Sequence, residues 1–159
     1  MIRYIFVIII FFSFVFSQVR LSLDTNGKLN SEDIESGISL SYDKNLYKQD
    51  NVKTGLGIEY MFPRDSKDLE FTKLSFNFVY IFLRFAYEKK WSSYLRFGFN
   101  TLDSGQLNSD GIALAFGADY KLNDNWHLET GYHISSINDN SYSRLVFSLA
   151  RHFKKKDDD

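Results

Sequence analysis

The chain has 159 residues and no internal repeat, which favours a single domain. Its formal net charge is −1 with both signs interspersed, so the composition gives no indication of a nucleic-acid partner. The chain contains no cysteine, which excludes a disulfide framework and a thiolate metal site. Aromatic residues make up 18% of the chain, a high share for a soluble domain.

The first residues have the pattern of a signal peptide. Arg3 supplies a short positive region, residues 4–16 are apolar apart from Ser13, and Val15 and Ser17 fit the small-residue positions of a cleavage site. The apolar run is shorter than the roughly 20 residues that a spanning helix needs. We therefore expect residues 1–17 to be a signal peptide that is cleaved after Ser17. The alternative is an uncleaved membrane anchor.

Alternation of apolar and polar residues, which is typical of strands with one apolar face, recurs along the rest of the chain. It predicts eight strands, at residues 19–23, 38–42, 52–62, 74–82, 91–102, 112–120, 126–134 and 145–153. Short turns are predicted at residues 43–50, 88–90 and 123–125, and outer loops at 24–36, 63–68, 103–111 and 138–141. Both chain termini should then lie at the same end as the short turns.

The fourth predicted strand is the least regular. Its apolar set is assigned to the outer face and consists of Leu74, Phe76, Phe78, Tyr80 and Phe82, opposite Ser75, Asn77, Val79 and Ile81. Residues 79–85 are apolar on both faces apart from Arg84. This pattern is compatible with a bulge or a change of register near Arg84.

Antiparallel strands with short connections predict an up-and-down barrel. One face is almost entirely apolar and rich in bulky aromatics, with Thr54, Thr130 and Arg151 as exceptions. Such a set does not fit inside an eight-stranded barrel, whose interior is narrow. We therefore predict an all-β, eight-stranded antiparallel up-and-down transmembrane β-barrel over residues 18–153, with its apolar face toward lipid and residues 154–159 as a charged tail. The alternative is a soluble lipocalin-like carrier, which needs the aromatic face inside.

The predicted lumen carries a balanced set of charges. Its cations are Arg20, Lys53 and Arg96, and its anions are Glu59, Asp119 and Glu129. Charges inside a barrel are costly unless they are paired or hydrated. The balance predicts a network of ion pairs that plugs the lumen, and a charged pore is the alternative.

The spacing of Gly117, Tyr120, Leu122, Trp126, Leu128 and Tyr132 resembles the penultimate hairpin of small outer-membrane β-barrel proteins, the OmpA-like and OmpX-like group. Residues 94–100 look like the preceding strand. Leu145, Phe147, Leu149 and Phe153 are similar to the C-terminal signal that the barrel-assembly machinery recognises. Two features depart from the group: the charged run 154–159 follows Phe153, and Arg151 occupies a slot that is usually apolar or aromatic.

The resemblance implies an exported protein in the outer membrane of a double-membraned bacterium. Its partners would be outer-membrane lipid or lipopolysaccharide and, during insertion, the barrel-assembly machinery. The implied role is non-enzymatic, in envelope integrity or in surface interaction through the outer loops.

His133 and Ser135 are the one enzyme-like feature. The pair is similar to the His-x-Ser pair of outer-membrane lipid A deacylases, which also need an acidic partner. No glutamate follows Glu129, so the nearby acid is Asp139. Alternation places both residues on the lumen side, away from a lipid substrate, which favours two ordinary polar residues over a lipid A hydrolase. His127, Glu129 and His133 also share this face, but nothing further supports a metal site, and we expect neither a metal nor a cofactor.

Overall fold

The computed structural model describes residues 17–30, 32–65, 73–87, 89–103, 108–137 and 140–153. The predicted signal peptide lies outside these ranges except for Ser17, which is the first residue of a strand, and so does the predicted tail 154–159. Among the described residues, none belongs to a helix that is long and apolar enough to cross a membrane.

Eight long antiparallel strands form one closed sheet. They are β1 (Ser17–Leu29), β3 (Gly37–Gln49), β4 (Val52–Arg64), β5 (Leu74–Ala86), β6 (Trp91–Asp103), β7 (Asn108–Lys121), β8 (Trp126–Ile137) and β9 (Asn140–His152), while the short β2 (Glu32–Ile34) pairs with β1. Each long strand pairs with the next one along the chain, and β1 also pairs with β9. The predicted eight-stranded up-and-down barrel is confirmed.

The two faces of the sheet differ sharply in exposure. Large apolar side chains point outward and are about half exposed, for example Leu21 at 57% and Phe116 at 46%. Their neighbours Arg20 and Ala115 point into the lumen and are at most 1% exposed. The apolar face therefore lies outside, the opposite of what a soluble carrier requires.

The faces of β5 are the reverse of the prediction. Phe78, Tyr80 and Phe82 are buried in the lumen, whereas Val79 and Ile81 are more than half exposed on the outside. Leu74 and Phe76, also assigned to the outer face, are buried as well. No bulge is needed near Arg84, since the pairing of β5 with β6 runs without a shift from Ser75 to Ala86. Arg84 also faces the lumen. Its charge, rather than the hydrophobicity of its neighbours, indicated the correct orientation of this strand.

Strands extend into several of the predicted connections: Asp103 ends β6, residues 108–111 belong to β7 and residues 140–141 belong to β9. Residues 24–36 were predicted to be an outer loop, but β1 continues to Leu29 through a register shift between Thr25 and Lys28, and β2 follows. Residues 43–50 were predicted to be a turn, but β3 continues to Gln49 and the turn is Asp50–Asn51, where Asp50 has a φ of 46°. Asp24 and Asp43 suggested solvated segments, but both are buried lumen residues.

Pro63 also lies within a strand rather than in a loop. It is next to last in β4, and the pairing of β4 with β5 shifts between Met61 and Arg64, which accommodates a residue without a backbone N–H. The predicted turn after β7 is confirmed: Asn123 Oδ1 accepts hydrogen bonds from the backbone N–H groups of Asn125 and Trp126 at 2.9 and 3.0 Å.

The two ends of the barrel differ in their connections. We call the end that carries Ser17, Phe153, the turn Asp50–Asn51 and the turn at 122–125 the turn end. The opposite end, where β1 meets β2 and β4 leads toward β5, is the loop end.

Candidate functional site in the lumen

Glu129 of β8 is surrounded by cations from three other strands. Its carboxylate accepts hydrogen bonds from Arg84 Nη2 and Arg96 Nη2, each at 2.6 Å, and lies 3.5 Å from Arg20 Nε. Gln18 Nε2 donates a further bond at 2.6 Å. Glu129, Arg96 and Arg20 are at most 3% exposed. Glu129 therefore joins β1, β5, β6 and β8 across the lumen.

Arg20 extends this group toward β3 and β5. It forms a two-pronged ion pair with Asp43, and its Nη2 donates to the hydroxyl of Tyr80 at 2.5 Å. The Tyr80 hydroxyl in turn donates to Asp43 at 2.6 Å. Each of these buried polar groups is thus satisfied by a side chain on another strand, as burial requires.

A second charged group lies nearer the loop end. Arg144 of β9 pairs with Glu59 at 2.5 Å and with Asp24 at 2.8 Å, and Arg64 donates to Asp24 at 2.7 Å. His133 Nδ1 lies 2.9 Å from Arg144 Nη2 and 3.8 Å from Glu59. This group ties the first strand to the last across the closing seam of the barrel.

The six charges predicted for the lumen all lie on the inner face, but in different surroundings. Arg20, Arg96 and Glu129 meet in the first group, and Glu59 belongs to the second. Asp119 contacts Arg84 at 3.5 Å and His127 at 2.8 Å toward the turn end. Lys53 is half-buried and makes no salt bridge to a described residue.

Five further charged residues of the lumen were not predicted from the sequence. They are Asp24, Asp43, Arg64, Arg84 and Arg144, and each of them is buried. Asp24, Asp43 and Arg64 lay in segments predicted to be loops or turns, and Arg84 lay where both faces are apolar. If the alternation is extended through residues 84 and 144, two further arginines lie on the inner face. Arginine then outnumbers the predicted lumen carboxylates, and this surplus was the sequence signal for additional acidic partners in the lumen.

Apolar side chains fill the lumen above the second charged group. This apolar cap consists of Leu29, Ile34, Met61, Leu74, Phe76, Leu102, Ile137 and Tyr142. The rings of Phe76 and Tyr142 stack with their centroids 4.0 Å apart. A cavity of 20 Å³ remains beneath the cap, next to Asn100 and His133, whose Oδ1 and Nε2 atoms lack a hydrogen-bond partner. That space suits about one water molecule.

Small residues make room for one large ring. Tyr94 of β6 is 4% exposed and lies over Gly117 and Gly131, which pair with each other between β7 and β8. A Cβ on Gly131 would come within 2.0 Å of the Tyr94 hydroxyl. The guanidinium of Arg96 lies 3.9 Å from the centre of the same ring. Small residues on the inner face therefore allow long side chains to cross the lumen.

His133 and Ser135 have no catalytic geometry. Both are at most 5% exposed and face the lumen, as predicted. His133 Nδ1 contacts Arg144, and its Nε2 has no hydrogen-bond partner, so neither nitrogen activates the Ser135 hydroxyl. Asp139, the predicted acid, lies outside the described residues. Within the described ranges, no group of three His, Cys, Asp or Glu side chains could hold a metal ion.

The residues of the predicted assembly signal lie along the outer face of β9 and just beyond it. Phe147 and Leu149 are 51% and 43% exposed, Leu145 is half-buried, and Phe153 follows the end of the strand at 37%.

A closed eight-stranded barrel with an apolar exterior and a charged, filled interior has the fold of a transmembrane β-barrel. No protein-family model matches the chain. No curated protein matches its sequence either. Solved structures, however, are similar over most of its length.

The attachment invasion locus protein Ail of Yersinia pestis superimposes with a TM-score of 0.61 at 12% identity, covering 87% of this chain and 97% of Ail. The N-terminal barrel domain of Pseudomonas aeruginosa OprF gives 0.59 at 12%, covering 86% and 97%. Neisserial surface protein A gives 0.55 at 16%, covering 86% and 95%. At these identities the similarity establishes the fold. The chain has the fold of the small outer-membrane β-barrels, as its resemblance to the OmpA-like and OmpX-like group predicted.

Proposed function

We propose that this protein is a non-enzymatic integral protein of a bacterial outer membrane whose lumen is closed. The observation that carries the proposal is the filling of the lumen by two arginine–carboxylate groups and the apolar cap. Long side chains leave little free cross-section in an eight-stranded barrel. The turn end faces the periplasm in this proposal, since outer-membrane barrels have their short turns there.

A closed barrel acts through its surfaces. Its partners in the membrane are outer-membrane lipid and lipopolysaccharide, and the barrel-assembly machinery recognises Leu145, Phe147, Leu149 and Phe153 during insertion. We assign it a role in envelope integrity or surface interaction through the loop end. The names of two structural neighbours, an attachment invasion locus protein and a neisserial surface protein, support a role at the cell surface. A lipid A hydrolase is not supported, since Ser135 is buried in the lumen without an activating base.

Location is tested by gel mobility of the outer-membrane fraction, with and without boiling. A barrel embedded in that membrane should resist detergent and migrate differently until it is heated. Recovery of the protein in the soluble periplasmic fraction, with no mobility shift, would contradict the proposed location.

Closure of the lumen is tested by conductance in planar bilayers. The wild-type protein and Asp33→Asn, a control at an exposed carboxylate outside the lumen, should both give no stable single-channel steps. Stable steps in both proteins that change in size in Glu129→Ala would show an open charged pore and would overturn the closed-lumen proposal.

A further inference from the structure

Aromatic side chains form a patch on the outer face at the turn end. Trp91 and Tyr120 are direct partners between β6 and β7, with ring centroids 4.7 Å apart. Trp126 is the first residue of β8, and Phe153 directly follows β9. Both tryptophans of the chain lie in this patch. Aromatic residues at this position are typical of the level where a barrel meets lipid headgroups.

Cations lie against these rings. Arg151 pairs with Trp126 across β8 and β9, and its guanidinium is 5.5 Å from the Trp126 ring centre and 5.2 Å from that of Phe153. Lys90 Nζ is 5.9 Å from the ring centre of Tyr120. Both cations are exposed, and neither makes a salt bridge to a described residue. Each is therefore oriented by an aromatic ring while its charge remains available to an anion.

The loop end has a different outer face. Its exposed residues near the strand ends include charged groups, Lys28, Asp103 and Asp110, as well as uncharged ones such as Asn77 and Thr101. No cation among the described residues of that end lies over an aromatic ring. The pairing of exposed cations with aromatic rings is thus found at the turn end of the described barrel. Phosphates that this surface attracts would belong to the leaflet at that end.

We propose that Arg151 and Lys90, with their partner rings, bind the phosphate of an anionic phospholipid in the periplasmic leaflet. The proposal rests on the membrane location proposed above. It gives Arg151 a role: an outward cation would be costly in the hydrocarbon, but at the headgroup level it attracts anionic lipid. The rings contact the upper acyl chain and glycerol while the cations contact the phosphate.

Tryptophan quenching tests the proposal directly. The full-length protein is refolded into phosphatidylcholine vesicles that contain phosphatidylglycerol, and bromine is placed on one lipid or the other at equal mole fraction. In a Trp91→Phe background, Trp126 reports on the surroundings of Arg151. Brominated phosphatidylglycerol should bind there about fivefold better than brominated phosphatidylcholine, the preference expected for one cation near the membrane surface. Arg151→Gln should reduce that preference to near equality.

Matched variants complete the design. Lys90→Gln in a Trp126→Phe background, with Trp91 as the reporter, should lose its preference in the same way. Lys28→Gln removes an exposed cation at the loop end and should leave both preferences unchanged. Equal quenching by both lipids in the parent proteins, or the same loss in Lys28→Gln, would overturn the binding proposal. Absence of quenching by either lipid, together with no heat-dependent gel shift, would instead overturn the membrane location.

Discussion

Glu129 shows how a single residue can organise the interior of this barrel. Three arginines and one glutamine converge on its carboxylate from three strands, and water has little access because the group is almost fully buried. Without Glu129 the arginines would have few anionic partners. Arg20 would still pair with Asp43 and Arg84 with Asp119, but Arg96 makes no salt bridge to a described residue other than Glu129. Loss of this carboxylate should therefore leave positive charge buried without compensation.

Glu129→Gln should lower the free energy of unfolding by about 3–5 kcal/mol, the range for breaking a buried ion pair from one side. The measurement is urea unfolding in lipid vesicles, followed by tryptophan fluorescence. Asp33→Asn is the control, since Asp33 is 70% exposed and its pairing with Lys28 should contribute less than about 1 kcal/mol. Equal losses of unfolding free energy in the two variants would mean that solvent screens the charges around Glu129 as strongly as it screens charges on the surface.

At the scale of the strand, alternation predicts a face only where one side is polar or small. The hairpin of β7 and β8 meets this condition, and its turn and faces were predicted correctly, although β7 begins at Asn108 and β8 ends at Ile137, beyond the predicted bounds. β5 does not, since Phe78, Val79, Tyr80 and Ile81 are all apolar or aromatic and hydrophobicity cannot order them. The strand is oriented by the Tyr80 hydroxyl, which bonds Asp43, and by Arg84, which bonds Glu129.

The corrected orientation of β5 predicts a dependence on depth. Ile81 lies near the middle of the strand on the outer face, and Asn77 lies on the same face nearer the loop end. Ile81→Arg should cost about 2–4 kcal/mol of unfolding free energy in lipid vesicles, while Asn77→Arg should cost about 0–1 kcal/mol. A cost at position 81 no greater than at position 77 would contradict the lipid-facing assignment of Ile81.

At the scale of the whole molecule, the closed barrel could be predicted, but only part of its interior could. Strand number, outward apolar face and antiparallel order follow from pattern and from the size of the side chains. The partners of Arg144 do not, because Asp24 is in β1 and Glu59 is in β4, far away in sequence. Asp24 and Asp43 illustrate the general difficulty: a carboxylate in a narrow lumen and one in a solvated loop look alike in sequence. Only the folded sheet distinguishes them, since it places Arg20 beside Asp43 and, across the closing seam, Arg144 beside Asp24.

Closure itself can be tested through the seam between β1 and β9. Ser22 and Ser148 are direct partners there, and their buried hydroxyl oxygens lie 2.8 Å apart. The chain has no cysteine, so Ser22→Cys/Ser148→Cys should form a single disulfide on oxidation of the folded barrel. The covalent ring should migrate differently from the reduced form on a denaturing gel after boiling. Linking residues so distant in sequence should add up to about 5 kcal/mol to the free energy of unfolding.

Two further results distinguish a closed barrel from accidental oxidation of thiols in an open or unfolded chain. Ser22→Cys/Ser135→Cys, which pairs β1 with a strand that is not its neighbour, should remain reduced under the same conditions. Oxidation of both pairs to the same extent would indicate thiols meeting in an open or unfolded chain. Failure of the 22/148 pair to oxidise in the folded protein would mean that β1 and β9 are not joined. The exposed edges of the sheet would then carry unpaired backbone groups, which the hydrocarbon of a membrane does not tolerate.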